Sequence, residues 1–515
     1  MWSQRTASVD VGRPWLRSEL SLGTWALALA GLTVVAAALR AFLADQSLLG
    51  DELLTYAVVH RSTPGQVIHA LNNSIESTPP LYYLLGWATG RLGGDPALIR
   101  MPSLIAGTVT VPAIGLLGAL LWSRTCGLVA AAIVTLSPFA LFYSVEARAY
   151  ALVTLLVTAS TALLILALRR GPWWWVAFAL AAAAAMYTHY TAAFPLLALA
   201  VWTLVGHPQK RRPLLLSMGA VALAFLAWVP WLEGRALGLI AAFYPLTPAN
   251  IAKAPISAVF GSPQEALSAI PGRFALALAG AGVVVAVTAV VASHRREAQA
   301  AAAVSTAPAS GVPGALWLIL ALAVSTPVGL LLYGLVGDDL YNPRNLSASV
   351  PGLVLLISAA VTSHRGRTWA SLLVIAAGAV GAARSLEPRY RRPPVNEAAD
   401  FINHRLRPGD LVIDTPALPV GYGLNRELTI YLDPGARTFV VTGVPAPGDR
   451  ALGPLAGSRA WRRIVGRRRA FVVAPVVATR PDVRMAPADS GARLIARRQF
   501  RGLQTISVAE YAPGR

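Results

Sequence analysis

Apolar runs of 17 to 23 residues recur through the first three quarters of the chain, beginning with residues 23–44. A helix of that length matches the hydrocarbon thickness of a bilayer. No water is available there, so each backbone N–H and C=O must bond within its own helix. One such run would suit a buried helix. About eleven, separated by short basic punctuation, read as a polytopic α-helical membrane protein. The run 23–44 is too long for a typical cleaved signal and follows Arg5, Arg13 and Arg17. It therefore reads as the first retained span, behind a cytoplasmic N-terminus at 1–22.

The net charge of +20 invites a nucleic-acid reading, but its distribution excludes one. The basic residues gather in short loops at 169–171, 210–212, 294–296 and 364–367. Cytoplasmic loops of membrane proteins carry this bias, and anionic lipid surfaces attract it. Cys126 is the only cysteine, which excludes an intrachain disulfide or a thiolate metal cluster.

The basic clusters also fix the expected path across the membrane. Spans are expected at 23–44, 101–121, 127–143, 150–168, 173–188, 191–206, 213–231, 273–293, 315–336, 346–361 and 368–384. The apolar piece 79–90 is excluded from this set, because its 12 residues reach only about 18 Å as a helix. It reads as a helix at the outer interface, a depth that suits Tyr82, Tyr83 and Trp87. Had it crossed, every later basic cluster would fall outside. Outer loops then cover 45–100 and 232–272, and a low-complexity cytoplasmic linker covers 296–314. From 388 to 515 the chain turns polar, with short β-type runs such as "LVIDTP", "ELTIYL", "TFVVTG", "RRAFVVAPVV" and "LQTISVAEY". One helical stretch, "VNEAADFINHRL", places Ala399, Ile402 and Leu406 on one side. A small extracytoplasmic α/β domain is expected there.

On this path the candidate site residues collect on the outer face. They are Asp51 and Glu52; Asn72, Asn73 and Glu76; Glu146 and Arg148; His189; and Asp338, Asp339 and Arg344 in "DDLYNPRN". Asp51 follows Gly50, so helix capping is one role for the acidic pair. The other is chemical: one carboxylate takes a proton from a hydroxyl, while its neighbour orients it or holds a divalent cation. Adjacent helical residues point about 100° apart, so the two need not share a task. Glu146 and Arg148 can pair with each other or face a substrate. His189 is either a packed structural histidine or a ligand. Arg344 can snorkel to headgroups or hold a phosphate through two parallel hydrogen bonds.

The motifs "LGDELLTYAVV", "STPPLYYLLGWATGRLGGDPALIRMPSLIAG", "SPFALFYSVEARAYAL", "YTHYTAAFPL" and "DDLYNPRNL" stand in an order that resembles a known group. These are the lipid-phosphate-sugar-dependent glycosyltransferases of the GT-C fold, in particular protein mannosyltransferases and aminoarabinose transferases. The resemblance covers roughly residues 23 to 385. The family's acidic pair maps to Asp51 and Glu52. Its His-Pro-Pro-Leu-Tyr-Tyr stretch maps to 78–83, with Thr78 where histidine is common.

The resemblance implies an inverting transfer, on the outer side of the membrane, from a polyprenyl-phosphate sugar to a hydroxyl of a glycan, lipid or protein. Asp51 and Glu52 would be catalytic, with Asp51 the base. Arg344, Arg148, Glu146, Tyr82, Tyr83, His189 and Tyr341 would bind donor phosphate or substrate. A divalent cation (Mg, Mn or Ca) held by Glu52, Glu76 and His189 is a further expectation. The competing classes are a transporter or flippase of lipid-linked sugars, and a non-catalytic envelope assembly protein. A transporter would place its polar residues near mid-membrane.

Overall fold

A computed structural model describes residues 20–72, 78–231, 244–300, 314–363, 367–414, 425–440, 450–451, 468–475 and 492–513. Helices dominate as far as residue 403. Helix α1 (Leu22–Ala44) starts at Ser21, whose hydroxyl accepts the Thr24 N–H. Three helices of nine residues follow: α2 (Asp51–Val59), α3 (Pro64–Asn72) and α4 (Leu81–Thr89). Each is about 13 Å long, too short to cross a bilayer. The expected short helix near 79–90 is therefore α4, and it has two companions.

The bundle continues with α5 (Met101–Leu121), α6 (Arg124–Leu136), α7 (Pro138–Ser144), α8 (Tyr150–Arg169), α9 (Trp173–Met186), α10 (Ala193–Gly206) and α11 (Arg211–Leu226). Beyond the second expected outer loop come α12 (Pro248–Phe260), α13 (Arg273–Ala300), α14 (Ala315–Tyr333), α15 (Val350–Thr362) and α16 (Arg367–Ser385). Among the described residues, seven helices are long and apolar enough to span, or nine if two bent pairs each count once. The expected eleven would further require α9, with 14 residues, to cross, and both arms of the 120° bend between α10 and α11 to cross separately. Large apolar side chains point outward along the bundle, including Leu27, Leu180 and Trp317, each more than 65% exposed. That pattern suits lipid rather than water.

Helices α5 and α6 touch through glycines. A Cβ on Gly127 would lie 2.1 Å from the Gly115 carbonyl oxygen, so only glycine permits this approach. A second device sits where α6 and α7 meet at 62°. Pro138 has no N–H, so it cannot bond the carbonyl four residues back, that of Val134. Arg40, buried within α1, donates to that carbonyl at 3.3 Å, to Ser144 Oγ at 3.0 Å and to the Ala36 carbonyl at 3.2 Å. The arginine thus replaces the bond that proline removes.

The C-terminal part holds α17 (Val395–Asn403), α18 (Asn425–Tyr431) and one sheet. Its strands are β1 (Leu411–Asp414), β2 (Arg437–Val440), β3 (Arg450–Ala451), β4 (Ala470–Pro475), β5 (Arg493–Phe500) and β6 (Ile506–Ala512), in the order β3-β2-β1-β4-β6-β5. β1 is parallel to both β2 and β4, while β6 runs antiparallel to β4 and β5. Val412 pairs in register with Thr438 on one side and Phe471 on the other. The run "ELTIYL", expected to be β-type, is mostly helix α18. Its Leu428 and Leu432 are buried at helical spacing and share a core with Val395, Ala399 and Ile402 of α17. β5 escapes a sequence reading because Arg493, Arg497 and Arg498 make it an exposed edge strand.

Candidate active site

Gly50 takes φ +56°, a conformation L side chains rarely adopt, and turns the chain into α2. Asp51 and Glu52 are the first two residues of that helix and point in different directions. Asp51 accepts a hydrogen bond from Arg344 Nη1 at 2.8 Å, and both side chains remain 34% exposed. Arg344 sits in a 3₁₀ turn at Pro343–Ser349, started by Asn342, whose side chain accepts the Asn345 N–H at 3.1 Å. A solvent-reachable carboxylate and a guanidinium, 293 residues apart in sequence, thus meet at one end of the bundle.

Glu52 faces the interior and is fully buried. Oε1 accepts from Arg100 Nε at 2.8 Å and from the Ala147 N–H at 2.6 Å. Oε2 accepts from Arg100 Nη2 at 2.7 Å, from the Leu49 N–H at 3.2 Å, and from Arg392 Nη1. Burial pushes this carboxyl up, but Arg100 and Arg392, with the hydrogen bonds from Arg100 and Ala147, hold it at about 2. The residue ties α2 to the start of α5, to the 145–149 turn and to the segment after α16.

That turn carries Glu146 and Arg148. Glu146 Oε2 is buried with no hydrogen-bond partner among the described residues. Burial pushes its carboxyl up to about 8 despite Arg392 nearby, and the negative charges of Glu52 and Asp51 add to the effect. The acid is therefore protonated near neutral pH and has a hydrogen bond to give. Arg148 Nη1 lies 3.4 Å from Thr55 Oγ1 on α2. His189 is buried, with its ring 5.5 Å from that of Tyr150 and Nδ1 2.9 Å from Thr191 Oγ1. Burial, then Arg148 and Arg344, lowers it to about 3, so the imidazole stays neutral.

Asp51, Glu146, Arg148, His189 and Arg344 are thus brought together. Three expected site tyrosines bond through their hydroxyls within the protein. Tyr82 donates to the Ile99 carbonyl at 3.2 Å and meets Ser103 Oγ at 2.8 Å. Tyr83 meets Thr78 Oγ1 at 2.8 Å, and Tyr341 donates to the Ile251 carbonyl at 3.0 Å. All three are at least 98% buried.

The expected divalent-cation site does not fit these residues. Two guanidinium groups and two backbone N–H groups take up the oxygens of Glu52. Among the described residues no three His, Cys, Asp or Glu side chains gather to hold a metal. Glu76 lies outside the described residues.

Sequence reasoning missed Arg100 and Arg392. A signal existed for Arg100, which opens an apolar span at its expected outer end, against the charge bias of the other loops. Arg392 in "RYRRPP" looked like part of a solvated junction.

Residues 77–232 match the family described as dolichyl-phosphate-mannose-protein mannosyltransferase. Over this segment, which holds "PPLYYL", "EARAY" and "YTHY", the chain is similar to the GT-C glycosyltransferases its motifs resemble. No curated protein matches the chain. Among solved structures, ArnT from Cupriavidus metallidurans bound to undecaprenyl phosphate aligns at 14% identity and TM-score 0.48, over 95% of this chain and 98% of that one. Arabinofuranosyltransferase AftD from Mycobacteria aligns at 16% and 0.46, over 97% of this chain and 40% of that one. The Archaeoglobus fulgidus oligosaccharyltransferase tethered to an acceptor peptide aligns at 11% and 0.44, over 88% and 69%.

Proposed function

We propose that this chain is an inverting, polyprenyl-phosphate-dependent GT-C glycosyltransferase, with Asp51 as its general base. The observation that carries the reading is the Asp51–Arg344 pair: a carboxylate that solvent can reach, bonded to a cation suited to phosphate. In the proposed cycle Arg344 exchanges the carboxylate for the donor's phosphate, which frees Asp51. The acceptor oxygen attacks the anomeric carbon as the bond from that carbon to the phosphate oxygen breaks. The hydroxyl proton passes to Asp51, and polyprenyl phosphate leaves with the bonding electrons. Arg344 and Arg148 offset the charge on the departing phosphate. The leaving group departs as a stabilised anion, so no acid is needed to protonate it. Protonated Glu146 donates a hydrogen bond to a hydroxyl of the transferred sugar. Glu52 acts through structure, by holding α2.

The same reading gives the chain eleven spans and a cytoplasmic N-terminus in a bacterial plasma membrane. Residues 23–387 form the catalytic domain, and 388–515 form an extracytoplasmic domain facing the acceptor. Mannose or arabinose is the proposed sugar, and an envelope glycan, lipid or protein the acceptor. The clustering of charged side chains at one end of the bundle supports an enzyme over a transporter. The test is Asp51→Asn in purified protein given polyprenyl-phosphate mannose or arabinose. Donor binding is expected to persist and transfer to stop; near-normal turnover would remove the base assignment. Mass spectrometry of lipid, glycan and glycoprotein fractions from cells with and without the gene would identify sugar and acceptor.

A further inference from the structure

The loop before Asp51, residues 45–50, has no regular structure of its own beyond its turn into α2. Much of what fixes it comes from the far end of the chain. Gln46 Oε1 accepts the Arg392 N–H at 2.9 Å. Ser47 Oγ donates to Asn396 Oδ1 at 2.8 Å and accepts the Asn396 N–H at 2.9 Å. The Leu48 N–H donates to the Tyr431 hydroxyl at 2.8 Å. The Arg392 guanidinium then spans two loops. Nη1 reaches Glu52 and, at 3.4 Å, the Ser47 carbonyl, while Nη2 reaches the Val145 carbonyl at 3.4 Å. Arg392 is only 5% exposed, and Ser47 and Leu48 are buried. It therefore sets the spacing between the strand of chain that delivers Asp51 and the turn that delivers Glu146 and Arg148.

We propose that Arg392 is a positioning residue for Asp51, and that Arg392, Asn396 and Tyr431 belong to the frame that holds it. This rests on the reading of Asp51 as the base. Arg392 touches neither donor nor acceptor in this assignment; it acts through the 46–52 loop. A planar guanidinium serves both loops through separate nitrogens, which an ammonium on a flexible stem does not reproduce. A base displaced by about 1 Å loses roughly a hundredfold in rate, whereas phosphate recognition by Arg344 and Arg148 would continue.

The test uses the full-length protein in nanodiscs with a polyprenyl-phosphate sugar. Arg392→Lys is expected to lower kcat roughly a hundredfold while the donor KM stays within about threefold and polyprenyl phosphate still binds. Arg392→Ala is expected to recover part of its kcat when guanidinium ion is added at concentrations that leave wild type unaffected. Tyr431→Phe, which removes the acceptor of the Leu48 N–H, should lower kcat in the same direction with KM unchanged. Should the Arg392 variants not fold, Tyr431→Phe decides. Wild-type kcat in Tyr431→Phe, or parallel loss of kcat and donor binding in Arg392→Lys, would overturn the proposal. Asp51→Asn run alongside separates the two assignments. An inactive Asp51→Asn with wild-type kcat in Arg392→Lys and Tyr431→Phe defeats only the positioning role, whereas an active Asp51→Asn defeats the base and the positioning role with it.

Discussion

Adjacent carboxylates with opposite surroundings should fail in opposite ways when neutralised. Glu52→Gln leaves Arg100 and Arg392 buried without a counter-ion, and its new amide hydrogens face donors. Breaking one member of a buried ion pair typically costs about 3–5 kcal/mol. The lowering of the Glu52 carboxyl from 4.5 to about 2 points the same way, toward roughly 3 kcal/mol of native-state stabilisation. Asp51→Asn disturbs only a pair that solvent reaches from both sides, worth about 0–1 kcal/mol. Thermal and denaturant unfolding of detergent-solubilised protein, followed by tryptophan fluorescence, would compare the two variants. Glu52→Gln should be destabilised by about 3 kcal/mol, and Asp51→Asn should unfold close to wild type yet be inactive. The pH dependence adds a sign. Because the folded carboxyl is held low, its stabilisation is complete above about 4.5 and is lost as pH falls toward 2. Glu52→Gln should lack that part of the acid loss. A Glu52→Gln protein within about 1 kcal/mol of wild type would refute the assignment of Glu52 as the structural member, since the expected cost is several-fold larger.

Arg344→Ala should raise the donor KM roughly 10–100-fold, the equivalent of one charge-assisted hydrogen bond; unchanged donor affinity in a binding titration would remove its phosphate role. Glu146 holds its proton up to about 8, so activity should fall as pH rises through that value and the hydrogen bond it donates disappears. A pH–rate profile of Glu146→Gln should lack this alkaline limb; an unchanged limb would show that another group controls it. Arg40→Leu leaves the Val134 carbonyl without its donor at the α6–α7 bend, and should cost about 1–3 kcal/mol, read as a lower unfolding temperature. An unchanged unfolding temperature would mean that the bend does not need the arginine.

The helical membrane architecture was legible because bilayer physics writes long apolar runs into the sequence. The short α4 was legible for the converse reason, since its length and the basic clusters both exclude a crossing. Asp51 and Arg344 stood out as candidates, although their direct contact was not legible, because nothing local links positions 51 and 344. Arg40 was invisible as a brace: inside an apolar run an arginine looks like an anomaly until Pro138 is found opposite it. The "ELTIYL" run misled because six residues with β-branched and aromatic side chains carry too little periodicity to separate strand from helix. Burial of Leu428 and Leu432 against α17 decided it, and that is tertiary information.

The tyrosines at 82, 83 and 341 show where motif reasoning reaches its limit. Each lies beside a motif of the kind that marks a substrate site, yet each spends its hydroxyl inside the protein. Tyr82 fixes Ser103, whose hydroxyl in turn donates to the Arg148 carbonyl at 3.1 Å. Arg100, three residues before Ser103, holds Glu52. A charged site at the end of an apolar bundle has little water to tolerate slack, so most buried polar atoms near it are paired within the protein. The support for the five candidate side chains draws on further polar residues, Arg100, Ser103 and Arg392 among them. Recurrence of a residue in a motif cannot separate the two groups, because a misplaced support disables the site as surely as a missing base. Their surroundings differ: Asp51 keeps an exposed face beside Arg344, Glu146 has an oxygen without a partner among the described residues, and Glu52 has neither.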